Sequence, residues 1–221
     1  MRKHTLLAAA ALSAAALTLT ACGGGGDGDK PVAEVSAESG PEKAATVLDK
    51  PFTKPDLVLT DTEGEKYDLR ARTKGKPTLL YFGYTHCPDV CPLTMNNIAV
   101  AKQALKKKLP KAERDRLQVV FVTTDPGRDT PKELGSWLDQ VDADFTGLTG
   151  DFATIQAGAR QLGISIEPSY KDKKGKVVSM HGTQVVAFSP KTDAGYVLYG
   201  EQATVDDYTA DLPKLLKGAT P

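Results

Sequence analysis

Thr78-Leu79-Leu80-Tyr81-Phe82-Gly83-Tyr84-Thr85-His86-Cys87-Pro88-Asp89-Val90-Cys91-Pro92 begins as a short unbroken apolar run and ends as the opening of a helix. Thr78–Tyr81 shows no polar alternation, the pattern of a central strand covered on both faces. After the cysteines, Cys91, Met95, Ile98 and Leu105 recur on one helical face, closed by Pro110. Lys102, Lys106, Lys107 and Lys108 fall on the outer face near the helix C-terminus, where cations are favoured. A second apolar run, Leu117–Val122, follows. Strand, helix and strand in that order need a crossover, so the two strands are expected to be parallel.

Working outward, Asp56–Thr60 and Lys66–Leu69 flank the turn Asp61-Thr62-Glu63-Gly64 and predict an N-terminal β-hairpin. Thr130-Pro131-Lys132-Glu133 reads as a helix start, with Thr130 as cap, Pro131 first in the helix and Glu133 as reciprocal partner. That helix would turn Trp137, Leu138 and Val141 inward, and Asp151 would cap another carrying Ile155, Ala159 and Leu162. Gln184–Phe188 and Tyr196–Tyr199 read as strands joined through Lys191–Gly195, and a last helix starts at Thr204 with Asp207 three residues on. The order is hairpin, β, α, β, α, α, β-hairpin, α. It predicts an α/β, thioredoxin-like fold: a mixed central sheet flanked by helices, the closing hairpin forming an antiparallel edge.

This domain is expected over residues 51–218, and two appendages precede it. Arg2, Lys3 and His4 lead into Thr5–Thr20, almost wholly Ala, Leu, Ser and Thr, too short for a permanent span and suited to a secretory signal over residues 1–21. The signal ends Leu19-Thr20-Ala21-Cys22, which resembles a bacterial lipobox, so Cys22 is expected to carry lipid at a cell membrane, with the rest of the chain on the extracytoplasmic face. Residues 22–50, opening Gly23-Gly24-Gly25-Gly26, lack apolar periodicity and read as a flexible tether. Lys+Arg and Asp+Glu balance at 28 each, which argues against a nucleic-acid partner. With three cysteines, no disulfide scaffold is possible, and Cys22 leaves two to explain.

Those two, Cys87 and Cys91, leave a strand end for a helix start, where ligands gather in open α/β sheets and where the helix dipole favours thiolates. The Cys-x-x-x-Cys spacing lets both sulfurs meet on one side of the turn, as a disulfide or around a metal. The loop is too short for a purely structural disulfide to gain much, and a closed zinc site, the weaker alternative, would need both thiols and both His86 and His181. His86 and His181 are candidates for a third ligand. His86, next to Cys87, should point away and act at most on the thiolate. His181, just before the Gln184–Phe188 strand, could approach both sulfurs, and two thiolates with one imidazole suit Cu(I) and can hold Cu(II).

Three segments together, Gly83–Pro92, Thr124-Asp125-Pro126-Gly127-Arg128-Asp129-Thr130-Pro131 and His181, resemble the Sco/SenC family of copper-binding proteins. The resemblance implies a thioredoxin-like fold, copper held by Cys87, Cys91 and His181, and a role in maturing cytochrome c oxidase. It implies as partner the binuclear copper site of oxidase subunit II, or the copper chaperones serving it. Asp125 corresponds to a family aspartate that would tune the site or its partner surface without ligating. Met180 stands where many relatives carry an acidic residue beside the histidine. Copper delivery is the leading expectation. Thiol–disulfide exchange by the Cys87/Cys91 pair on the acceptor's cysteines is the alternative, and a peroxide reductase ranks last, because Thr85 stands at the wrong distance from Cys87.

Overall fold

A computed structural model describes residues 44–221. The expected signal segment, Cys22 and most of the expected tether lie outside the described residues. Helix and strand alternate from Ala45 to Leu216. They run β1 (Ala45–Thr53), β2 (Val58–Asp61), β3 (Lys66–Asp68), α1 (Leu69–Thr73), β4 (Thr78–Gly83), α2 (Val90–Ala104), α3 (Lys111–Arg114) and β5 (Gln118–Thr123). They continue as α4 (Pro131–Asp139), β6 (Thr146–Thr149), α5 (Phe152–Arg160), β7 (Tyr170–Lys171), β8 (Val177–Val178), β9 (Val185–Phe188), β10 (Ala194–Tyr199) and α6 (Val205–Leu216).

Eight strands form one mixed sheet in the order β1-β10-β9-β4-β5-β6-β2-β3, and β7 and β8 pair separately. β4, β5 and β6 are parallel neighbours, while β9 runs antiparallel to β4. Every residue of β4 is buried, as its unbroken apolar run predicts. Alternation along it splits the core. Leu79 and Tyr81 face Met95, Ile98, Leu134, Tyr208 and Leu212 of α2, α4 and α6. Leu80 and Phe82 face Leu57, Ile155 and Ala159 on the α5 side. The thioredoxin-like plan is therefore present, with helices on both faces of a mixed sheet.

Several boundaries differ from expectation, each for a local reason. Ala45–Lys50, expected in the tether, belongs to β1, which pairs antiparallel with β10 from Ala45↔Tyr199 to Thr53↔Ala194, with a register break between Val47 and Phe52. Its side chains are largely exposed, so main-chain pairing forms the strand without apolar alternation. The edge on that side is thus β1, not the closing hairpin. Leu69 begins α1 instead of ending a strand, because the Asp68 carboxylate accepts from Ala71 N and starts a helix there. α2 ends at Ala104, before Pro110. At α4 the Thr130 hydroxyl accepts from Glu133 N, but Thr130 N donates to Arg128 O (3.0 Å), so the reciprocal half of the expected box is missing. The full box occurs at α6, where Asp207 N donates to Thr204 Oγ1 and Thr204 N donates to Asp207 Oδ2.

β6 was not expected, since Thr146-Gly147-Leu148-Thr149 offers no apolar run. Gly147 explains both its faint signature and its packing: a Cβ there would lie 2.6 Å from Leu138 Cδ1 and 2.8 Å from Leu134 Cγ. Alanine normally suits a strand interior better than glycine. Gly147→Ala should instead destabilise the fold by about 1–3 kcal/mol, the range for overpacked cores, read as a lower urea midpoint at unchanged slope. An unchanged or higher midpoint would contradict the close approach of α4 to β6.

Candidate metal centre

The cysteine loop is shaped from both ends. Tyr84 O accepts from Cys87 N (3.2 Å), closing a turn directly after β4. Asp89 then caps α2, its carboxylate accepting from Val90 N (2.6 Å). Cys91 thus lies in the first helical turn and Cys87 just before it, as the spacing predicts. Cys91 N donates to Cys87 Sγ (3.4 Å), so the helix N-terminus points a donor at that sulfur. Both cysteines are free thiols. Cys91 has no exposure, and Tyr81 OH donates to its sulfur at 3.5 Å. Room for that sulfur comes from Gly83, where a Cβ would lie 2.8 Å from Cys91 Sγ.

His181 arrives from the opposite side, on the segment entering β9. Its Nδ1 lies 2.8 Å from Gly182 O, and a carbonyl can only accept, so Nδ1 carries a proton and Nε2 is the nitrogen that can turn a lone pair to a metal. Nε2 lies 3.7 Å from Cys87 Sγ. Donor atoms of Cys87, Cys91 and His181 all fall within 4.8 Å of one another, a grouping that could hold a metal ion. The Tyr84 ring packs against His181 at 5.4 Å between centroids and walls one side. His86, the other candidate, is half exposed and lies outside this group, its Nδ1 3.0 Å from Thr85 Oγ1. The imidazole that helps hold down the Cys87 pKa is that of His181.

The two thiols differ electrostatically. Hydrogen bonding from the Cys91 thiol, helped by backbone N–H groups of Cys91 and Asp89 and by His181, pushes Cys87 down to about 5 against opposing desolvation. Cys91 moves strongly upward, because it is the donor in that pair and is deeply buried. Metal-free protein therefore carries one thiolate beside one thiol at neutral pH. Two sulfurs and one nitrogen form a soft, three-donor set, a fit for Cu(I) and a usable set for Cu(II).

Asp125 does not join the donors. It is 4% exposed, paired with Arg128, and accepts from Ser179 Oγ at 3.0 Å. Ser179 also takes a hydrogen bond from Arg128 Nη2 (3.2 Å) and shares one with Ser169 Oγ (2.7 Å). Ser179 precedes His181 by two, so Asp125 is bonded to the segment that carries the imidazole. Met180 between them is 45% exposed.

Asp129 was not anticipated. With no exposure, its carboxylate accepts from Thr85 N (3.0 Å), Thr85 Oγ1 (2.6 Å) and Thr123 Oγ1 (2.6 Å). It ties the cysteine loop to the end of β5. Its sequence signal was its place in the Thr124–Pro131 segment, as that of Gly83 was its place at the head of Gly83–Pro92; neither segment told what these residues do. Ser179 had none.

A model of the SCO1/SenC family matches residues 45–217. The chain belongs to the SCO1/SenC family. An Arabidopsis thaliana mitochondrial SCO1 homolog is 26% identical over 185 residues, covering 83% of this chain and 51% of that protein. Copper-bound ScoI of Bradyrhizobium japonicum is similar at TM-score 0.61 and 29% identity, over 75% of this chain and 98% of that one. Apo Sco1 of Thermus thermophilus gives TM-score 0.64 and 28% identity, over 78% and 96%. The chain spans 40–60% of the length of the first curated relatives it matches.

Iodoacetamide should alkylate Cys87 before Cys91, with a rate that is half-maximal near pH 5 and falls as pH drops further and the thiolate is protonated. Peptide mapping checks the order. A rate that rises only near the ordinary thiol value of about 8.5 would contradict the site's electrostatics.

Proposed function

We propose that this protein is a membrane-tethered, extracytoplasmic copper chaperone that delivers copper to the binuclear copper site of cytochrome c oxidase subunit II. The observation that carries this reading is the convergence of Cys87 Sγ, Cys91 Sγ and His181 Nε2 within 4.8 Å on a thioredoxin-like frame. The copper-bound relative of 29% identity supports the choice of metal. In this reading Cys87 and Cys91 bind as thiolates and His181 completes the site. Cys87, 6% exposed and first to ionise, exchanges with an incoming thiolate of the acceptor, while buried Cys91, held by Tyr81, lets go last.

Tethering rests on Leu19-Thr20-Ala21-Cys22, with lipid on Cys22. No helix among the described residues is long and apolar enough to cross a membrane. A tether would raise the donor's local concentration beside a membrane-bound acceptor.

One observation favours a second reading. A lowered Cys87 beside a raised Cys91 is also the pairing of an attacking and a resolving thiol, suited to reducing the acceptor's cysteines before copper enters. His181 separates the two readings, because disulfide exchange does not need its imidazole. His181→Ala should weaken Cu(II) binding roughly tenfold or more, Cu(I) less, since thiolates alone hold Cu(I). In cells, His181→Ala should impair oxidase maturation, with rescue by added copper. Normal maturation in that strain, where Cys87→Ser abolishes it, would favour thiol exchange and overturn copper delivery through this site.

A further inference from the structure

The β7–β8 arm stands apart from the main sheet and pairs only with itself among the described residues, Tyr170↔Val178 and Lys171↔Val177. Its sequence, Tyr170-Lys171-Asp172-Lys173-Lys174-Gly175-Lys176, sets four exposed lysines against one aspartate in a protein whose charge balances overall, at 28 Lys+Arg and 28 Asp+Glu. Asp172 is committed to the turn, its carboxylate accepting from Lys174 N (2.8 Å) and Lys176 N (2.9 Å). No ion pair within 4.0 Å is formed by any of the four lysines among the described residues. The fold makes no use of this charge.

The arm is rooted at the metal centre. Ser169 and Ser179, at its two ends, share a hydrogen bond of 2.7 Å, and Ser179 is held by Asp125. From the end of its second strand at Val178 the chain continues through Ser179 and Met180 to His181. Tyr170 (56% exposed) and Met180 (45%) add apolar surface to the arm and its exit, and Leu93 (56%) is exposed two residues after Cys91. Exposed apolar residues beside a charged rim are the anatomy of a protein–protein interface.

We propose that the β7–β8 arm is an electrostatic docking element that receives an acidic protein face surrounding the copper acceptor site. This rests on the copper-delivery reading. Rim lysines raise encounter rates more than they tighten the complex, which suits a donor that must meet its acceptor quickly and leave again. An anionic bilayer offers the same charge. A protein face is favoured because the arm leads into the His181 ligand segment, and an arm lying on lipid would turn that segment toward headgroups.

The test uses full-length copper-loaded protein in neutral detergent, wild type beside the variant Lys171→Glu, Lys173→Glu, Lys174→Glu, Lys176→Glu. The turn hydrogen bonds use backbone N–H groups and survive these changes, and equal thermal midpoints and copper content confirm an intact donor. Copper transfer is followed to the metal-free soluble domain of oxidase subunit II and, as reference, to a small uncharged chelator, across ionic strength. Expected is transfer to the protein acceptor slowed about tenfold or more at low salt, with its salt dependence lost, and chelator transfer unchanged. Equal rates to the protein acceptor would overturn the docking role and leave copper delivery standing. If wild type transfers copper to the chelator but not to subunit II, the delivery reading fails for that acceptor and the docking role with it. Sedimentation with vesicles containing phosphatidylglycerol, lost in the variant while transfer rates stay equal, would assign the arm to a lipid surface.

Discussion

The buried Asp129 carboxylate fastens the cysteine loop to the sheet through Thr85 and Thr123. A charged group with no exposure is tolerable only when fully hydrogen-bonded, and each such bond contributes about 1.5–3 kcal/mol. Asp125, four residues earlier on the same turn after β5, does the matching job for the histidine segment through Ser179. One short connection therefore fixes both halves of a site whose donors come from positions 87, 91 and 181. Loss of either carboxylate would leave every ligand in place and yet unsettle the distances between them.

Within that frame the two sulfurs are unlike by construction. Cys87 receives a helix N-terminal N–H and faces His181, whereas Cys91 is sealed beneath Tyr81 and fits only because Gly83 has no side chain. Cys87, 6% exposed, is thereby the less enclosed sulfur, and Cys91, with no exposure, the more. A donor that binds metal in solution and surrenders it to a partner needs that gradient, and so does a thiol pair that attacks and then resolves. The imidazole distinguishes them, since its Nδ1 is tied to Gly182 O and its Nε2 is free for metal.

The parts of the fold written in side-chain pattern were legible in the sequence. β4 and β5 followed from continuous apolar runs, α4, α5 and α6 from Thr130, Asp151 and Thr204 at their caps, and the cysteines from their place between strand and helix. Elements held by main-chain pairing were not: β1 exposes most of its side chains, and β6 carries a glycine where α4 packs. At the site, the donors were legible because few residue types can bind soft metal, and the His181 assignment leaned on family resemblance as well as on topology. The supports were not legible. Asp129, Ser179 and Gly83 do their work through contacts 6 to 54 residues away in sequence, which no local pattern records. Asp125 was expected to tune the site; the structure shows it bonded to Ser179, two residues before His181.

The central claim is that one copper ion is held by both sulfurs and by the imidazole of His181. Copper K-edge absorption spectroscopy of the loaded protein, wild type beside His181→Ala and His86→Ala, tests it most directly. The account predicts two sulfur scatterers and one imidazole nitrogen in wild type, with the nitrogen lost in His181→Ala and kept in His86→Ala. Fewer than two sulfurs, or an imidazole signal that survives His181→Ala and disappears with His86→Ala, would contradict it.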